Sequence, residues 1–176
     1  MMSSYDSFLD VLHSPARSPE IPPDDDVYGW LIGSWDLDVT VHDDHGNTRQ
    51  GRGEVHFSWV LEGRAVQDVW ISPRRADRGP GRPLGMFGTT LRVYDPAIHA
   101  WRVTWLNPVD GACDQLTGRW VGKDIIQEGH AADGTPIRWS FVDIAHDSFR
   151  WLGERLRSDG TTWWLQVEFH AKRTQR

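Results

Sequence analysis

The sequence predicts an all-β protein, a single closed antiparallel meander barrel of about ten strands with a short N-terminal helix and a helical plug. Apolar and polar residues alternate in short runs from Trp35 to Ala171. The links between the runs are too short for the crossover helix that parallel neighbours need. Three links carry hairpin turn chemistry, Asp44-His45-Gly46, Ala132-Asp133-Gly134 and Ser158-Asp159-Gly160, each suited to a type I turn whose Gly takes the left-handed position.

At the N-terminus Tyr5, Phe8, Leu9 and Leu12 recur at helical spacing, and residues 14–26 are rich in Pro and Asp. Residues 1–26 therefore read as a short helix on a mobile arm, and 27–173 as the barrel domain. The run VYGWLIGSW from Val27 to Trp35 lacks a period of two, and Trp30 and Leu31 sit where a helical turn could plug a barrel end. Strands are expected at 35–43, 47–60, 64–72, 86–95, 100–107, 112–121, 124–131, 135–143, 148–157 and 161–171. The link from Pro73 to Leu84 is long and rich in Pro, Arg and Gly, the composition of a flap.

A three-residue turn fixes register, and register decides which side chains face inward. The first hairpin then sets Trp35, Leu37, Val39 and Val41 beside Val55, Gly53, Gly51 and Arg49, with Asp38 across from Arg52 outside. The second sets Trp139 beside Gln127 and Glu128 beside Arg138. The last sets Arg155 beside Trp163, Trp151 beside Val167 and Phe149 beside Phe169, with Arg150 opposite Glu168 outside. Leu61-Glu62-Gly63, treated alike, puts Trp59 opposite Ala65 and Phe57 opposite Gln67 inside, and leaves Trp70 outward. Carried round the barrel, the inward set gains Trp101, Trp105, Trp120, Phe87 and Phe141.

Composition narrows the function classes. The 176 residues carry a net charge of −6 with a pI near 5.7, so the basic surface that tracks a phosphate backbone is missing and nucleic acid is not an expected partner. Cys113 is the only cysteine, which excludes an internal disulfide and a cysteine-held metal. The opening MMSSYDSFLDVLHS has no basic n-region or long apolar run, so a cytoplasmic protein without membrane insertion is expected.

Candidate chemical motifs read mainly as surface. His42-Asp43-Asp44-His45 offers nitrogen and oxygen donors but falls on a hairpin tip, so no metal and no cofactor are expected. Glu54 with His56, and Glu168 with His170, share a strand face and could serve as acid and base; the register turns both pairs outward. There is no Gly-x-Ser-x-Gly elbow, Cys113 has no evident dyad, and GRPLGMFGTT lacks the Lys-Ser/Thr of a phosphate cradle.

Four stretches together, GSWDLDV, WVLEGRAVQDVW, LRVYDP followed by WRVTWLN, and FRWLGERLRSDGTTWWLQVEFHAKR, resemble a family of bacterial calycin-like proteins of unknown function over about residues 31–173. The resemblance implies a lipocalin-like barrel whose relatives mostly hold apolar small molecules, with the Trp of Gly33-Ser34-Trp35 closing one barrel end. It brings no catalytic residues. Some calycin-like barrels hold haem through a histidine near the C-terminal end, and His170 occupies a comparable stretch, though the register turns it outward.

Eleven Trp in 176 residues, most of them inward, make a wall suited to a flat aromatic ligand. The expected function is binding of an apolar or aromatic small molecule in the lumen. The candidate binding residues are Trp59, Trp105, Trp139, Trp151 and Trp163 as wall, with Gln67, Gln127 and Arg155 as its polar groups; Arg155 would meet the carboxylate of an acidic ligand. A non-covalent isomerase or cyclase using the same lumen is the alternative, and a homodimer joined through outward Trp70 and Trp164 is a third.

Overall fold

The structure, a computed structural model, describes residues 7–81 and 84–175. The chain opens with helix α1 (Phe8–Leu12) and a two-residue strand β1 (His13–Ser14). Ten long strands follow: β2 (Gly33–His42), β3 (Thr48–Val60), β4 (Ala65–Ser72), β5 (Met86–Asp95), β6 (Ala100–Asn107), β7 (Ala112–Val121), β8 (Asp124–His130), β9 (Pro136–Ala145), β10 (Ser148–Leu156) and β11 (Trp163–Gln175). Each pairs antiparallel with the next, and β11 pairs with β2. The sheet therefore closes, which leaves no long edge open.

A capping box starts α1, with the Ser7 hydroxyl accepting from the Asp10 N–H and the Asp10 carboxylate accepting from the Ser7 N–H. Of the expected helix, Tyr5 lies outside the described residues. The segment after α1, expected as an arm, meets the barrel at several points. His13 and Ser14 pair with Val60 and Trp59, the Ser18 N–H donates to the Gly63 carbonyl at 3.0 Å, and Ile21 is buried.

The expected plug is a single 3₁₀ turn, Gly29–Leu31. Tyr28 and Leu31 are fully buried, and Tyr28, Trp30, Trp35, Phe141 and Phe149 meet edge to face or tilted. Trp35 closes this end: its indole N–H donates to the Leu31 carbonyl at 2.8 Å, and the Arg173 guanidinium lies 3.9 Å from its ring. Arg173 also donates to the carbonyls of Trp30 and Ile32, so one cation fastens the plug to the final strand.

Register follows the turns, and so do its departures. The β2–β3 hairpin pairs Trp35 with Val55, Leu37 with Gly53 and Asp38 with Arg52, and the β8–β9 hairpin pairs Gln127 with Trp139; both match the three-residue turn. Between β3 and β4, Leu61 and Glu62 both take positive φ, at 54° and 57°, the pattern of a type I′ turn. The pairing starts at Val60 with Ala65, one residue away from the expected register. Trp70 is consequently inside, 4 % exposed, and Asp68 pairs with Phe57 inside while Gln67 pairs with Ser58 outside.

The β10–β11 hairpin slips twice. Arg157 bonds to Thr162 across a four-residue loop, and a bulge between Gly153 and Glu154 restores the inward parity. Trp151 therefore sits opposite Phe169 and not Val167, while Arg150 faces His170 and reaches Glu168 diagonally at 2.7 Å on the outer surface. Before the bulge the parity is reversed, so Trp163 faces outward beneath the Arg138 guanidinium, 4.4 Å from its ring centre, and not inward as expected. Phe87 also faces outward under Arg78, and Trp120 is exposed near the β7–β8 turn.

Candidate functional site

The plug fills one end of the barrel, and the other end holds a cavity of about 540 Å³. Its mouth is framed by the start of β5 at Gly85 and Met86 and by the links β6–β7 and β8–β9. Gly85 directly follows the expected flap, but none of the flap's described residues, Pro73 to Gly81 and Leu84, lines the cavity; Arg82 and Pro83 lie outside the described residues. Trp70, Trp105, Trp139 and Trp151 form the walls. Gly88 makes room for one of them, because a Cβ there would stand 2.4 Å from the Trp105 ring.

The floor is polar and buried. Arg92, on β5, is 1 % exposed and pairs with the Asp68 carboxylate, itself 1 % exposed. The second Asp68 oxygen accepts from the Thr90 N–H at 2.7 Å. Beneath them the fully buried Gln127 accepts from the Tyr28 hydroxyl at 3.0 Å and from Arg92 Nε at 3.4 Å, while its own Nε2 has no partner among the described residues. The Arg92 guanidinium lies 4.9 Å from the Tyr28 ring centre. Burial pushes the Tyr28 phenol well above its ordinary range, so it stays a neutral donor. Tyr28 reaches this place because residue 118 is Gly; a Cβ there would stand 2.0 Å from its hydroxyl.

The mouth is acidic. Asp110, Asp114 and Asp133 line it together with Arg155. Arg155 is bonded to Asp133 and donates to Thr135 Oγ1 at 2.8 Å. Asp114 is paired across the strand from Trp105 on the inward face. Burial raises its pKa, helped by the neighbouring charges of Asp110 and Asp133 and opposed by the Ala132 N–H and Arg155.

Four of the candidate residues come together around this cavity: Trp105, Trp139, Trp151 and Arg155. Gln127 lies under the floor, and Trp59 is buried against Trp101, away from the cavity lining. Gln67 and Trp163 point out of the barrel, Gln67 donating to Thr89 Oγ1 at 3.0 Å. Trp70, Asp68, Arg92 and Asp114 are the site residues that sequence reasoning missed. The first three follow from the single slip after β3, whose sequence signal was a tryptophan left facing water.

The surface motifs stay on the surface. His45 is exposed on its hairpin tip, and His170 is exposed and bonded to Glu168 at 2.8 Å. No group of three His, Cys, Asp or Glu among the described residues is arranged to hold a metal ion. No helix among them is long and apolar enough to cross a membrane. The outward pair expected to join a dimer is not found: Trp70 is inside, and Trp164, paired with Arg155 where the parity is reversed, is half-buried with the Arg157 guanidinium 5.1 Å from its ring centre.

A closed ten-strand antiparallel barrel, plugged at one end by its N-terminal segment and hollow at the other, is a calycin-like barrel. No protein-family model matches the chain, and no curated protein matches it. Among solved structures it is similar to Rv2717c from M. tuberculosis, with a TM-score of 0.62, 16 % identity, and 88 % of this chain and 99 % of that one covered. It is also similar to the S-type phycobiliprotein lyase CPES from Guillardia theta, with a TM-score of 0.57, 11 % identity, and 85 % and 91 % covered. At these identities the likeness shows the fold.

Proposed function

We propose that the hollow end binds a flat apolar or aromatic small molecule. The observation that carries this reading is the state of the wall tryptophans. Trp70, Trp105, Trp139 and Trp151 line a cavity of about 540 Å³, and no described residue accepts from their indole N–H groups, whereas those of Trp30, Trp35 and Trp101 all donate to backbone carbonyls. Trp70 and Trp151 are buried and Trp105 and Trp139 half-buried, and a ligand with ring-edge oxygen or nitrogen atoms would accept from N–H groups that the described residues leave unpaired. The volume lies inside the range of roughly 300–1,000 Å³ typical of small-molecule sites.

Nile red, neutral and flat, should bind saturably at one site, and Trp151→Ala should weaken it by about tenfold, the loss expected when a large aromatic contact is removed. Absence of saturable binding across a panel of neutral aromatic probes would end this reading.

A second reading has one observation in its favour. Asp114 is a cavity carboxyl with a raised pKa, the property of a general acid or base. An isomerase or cyclase would use it to move a proton on the bound ring, and Asp114→Asn would then abolish turnover while binding survived.

A further inference from the structure

We propose that the ligand of this cavity is a cationic aromatic, a flat ring system with a protonated or quaternary nitrogen held at the mouth; this rests on the binding reading above. The argument is one of charge. Both lining cations already have carboxylate partners, Arg92 with Asp68 on the floor and Arg155 with Asp133 at the mouth. A ligand carboxylate would have to displace one of them. Asp110 and Asp114 also line the mouth, and neither forms an ion pair among the described residues. Their recorded hydrogen bonds come from single backbone N–H groups, those of Ala112 at 2.9 Å and Ala132 at 3.2 Å. The cavity opening is thus left with two unmatched carboxylates beside an aromatic wall.

Aromatic faces add to the same preference, because the negative face of an indole attracts a cation. Asp114 pairs directly across from Trp105, and Trp139 and Trp151, on β9 and β10, line the same cavity with ring centres 5.6 Å apart. Trp70 and Trp151, 4 % and 8 % exposed, line the cavity, and no described residue accepts from their indole N–H groups. A ring body between these tryptophans and a positive tail beside Asp114 and Asp110 meets both demands. The raised pKa of Asp114 is consistent with this arrangement: burial is its main cause and Asp110 and Asp133 repel the carboxylate, against the opposing pull of the Ala132 N–H and Arg155. The overall charge of −6 further favours the approach of cations.

A matched series tests the idea by calorimetry near neutral pH: 2-(1-naphthyl)ethylamine, 2-(1-naphthyl)ethanol and 1-naphthylacetic acid. The amine should bind tightest and the acid weakest, with neighbours in the series differing by about threefold to fivefold, the scale of a part-exposed ion pair. Asp114→Asn retains an oxygen for the Ala132 N–H and should lower the amine affinity by a similar factor while leaving the alcohol unchanged. Acidification through the raised Asp114 pKa should do the same to the wild type, with Asp110, Asp133 and Arg155 as the other charges facing that group. An acid that binds as well as the amine, or an amine indifferent to Asp114→Asn, overturns the charge assignment and leaves the binding reading standing. If none of the three probes binds, both readings fall.

Discussion

The two ends of the barrel use the same aromatic residues to opposite effect. At the plugged end Trp30, Trp35 and Trp101 each donate to a backbone carbonyl, of Val27, Leu31 and Asp25, at 3.0, 2.8 and 2.8 Å. Trp35 is 1 % exposed and Trp101 fully buried. At the hollow end four tryptophans line empty space, and their N–H groups find no acceptor among the described residues. Aromatic content alone therefore does not distinguish a core from a binding wall. What separates Trp30, Trp35 and Trp101 from the four wall residues is whether a described residue accepts from the polar edge of the ring. The Arg92, Asp68 and Gln127 network, bonded upward to Thr90 and downward to Tyr28, is the boundary between the two.

Truncation should separate the ends. Trp35→Ala removes a fully packed ring, its bond to Leu31 and the seat of Arg173, and should cost about 5 kcal/mol, the upper end of large-to-small core changes. Asp68→Asn leaves the Arg92 charge buried without its carboxylate and should cost about 3 kcal/mol. Trp105→Ala, whose ring borders the cavity on one side, should cost less than about 2 kcal/mol because fewer contacts are lost. Chemical denaturation of the three variants gives the order. Equal losses for Trp35→Ala and Trp105→Ala would mean that the hollow end is packed as tightly as the plug.

Register was legible in the sequence where a turn follows its Gly signal. Asp44-His45-Gly46 fixed β2 against β3, and Gly46 and Gly134 take the positive φ that those turns require, 88° and 83°. The turn between β3 and β4 departs from that rule. Leu61 and Glu62 adopt positive φ without being glycine, which moved Asp68 and Trp70 inside and Gln67 outside. The four-residue loop before β11 and the bulge after it are two errors that cancel for Trp151 and Phe169 but not for Trp163. Arg92 stayed hidden for a related reason. A charged residue in an alternating strand reads as outward unless its buried partner on the next strand is already placed, and that partner, Asp68, lay beyond the misread turn.

The most direct test follows the indole N–H signals in a ¹H–¹⁵N spectrum, assigned through single Trp→Phe variants, while a neutral aromatic probe such as 2-(1-naphthyl)ethanol is added. Satisfied N–H groups of the plug should hold still, so the signals of Trp30, Trp35 and Trp101 stay in place. Those of Trp70, Trp105, Trp139 and Trp151 should shift together with one saturation curve. Shifts spread evenly over both ends, or confined to the plug tryptophans, would contradict the division of the barrel into a closed core and a ligand cavity.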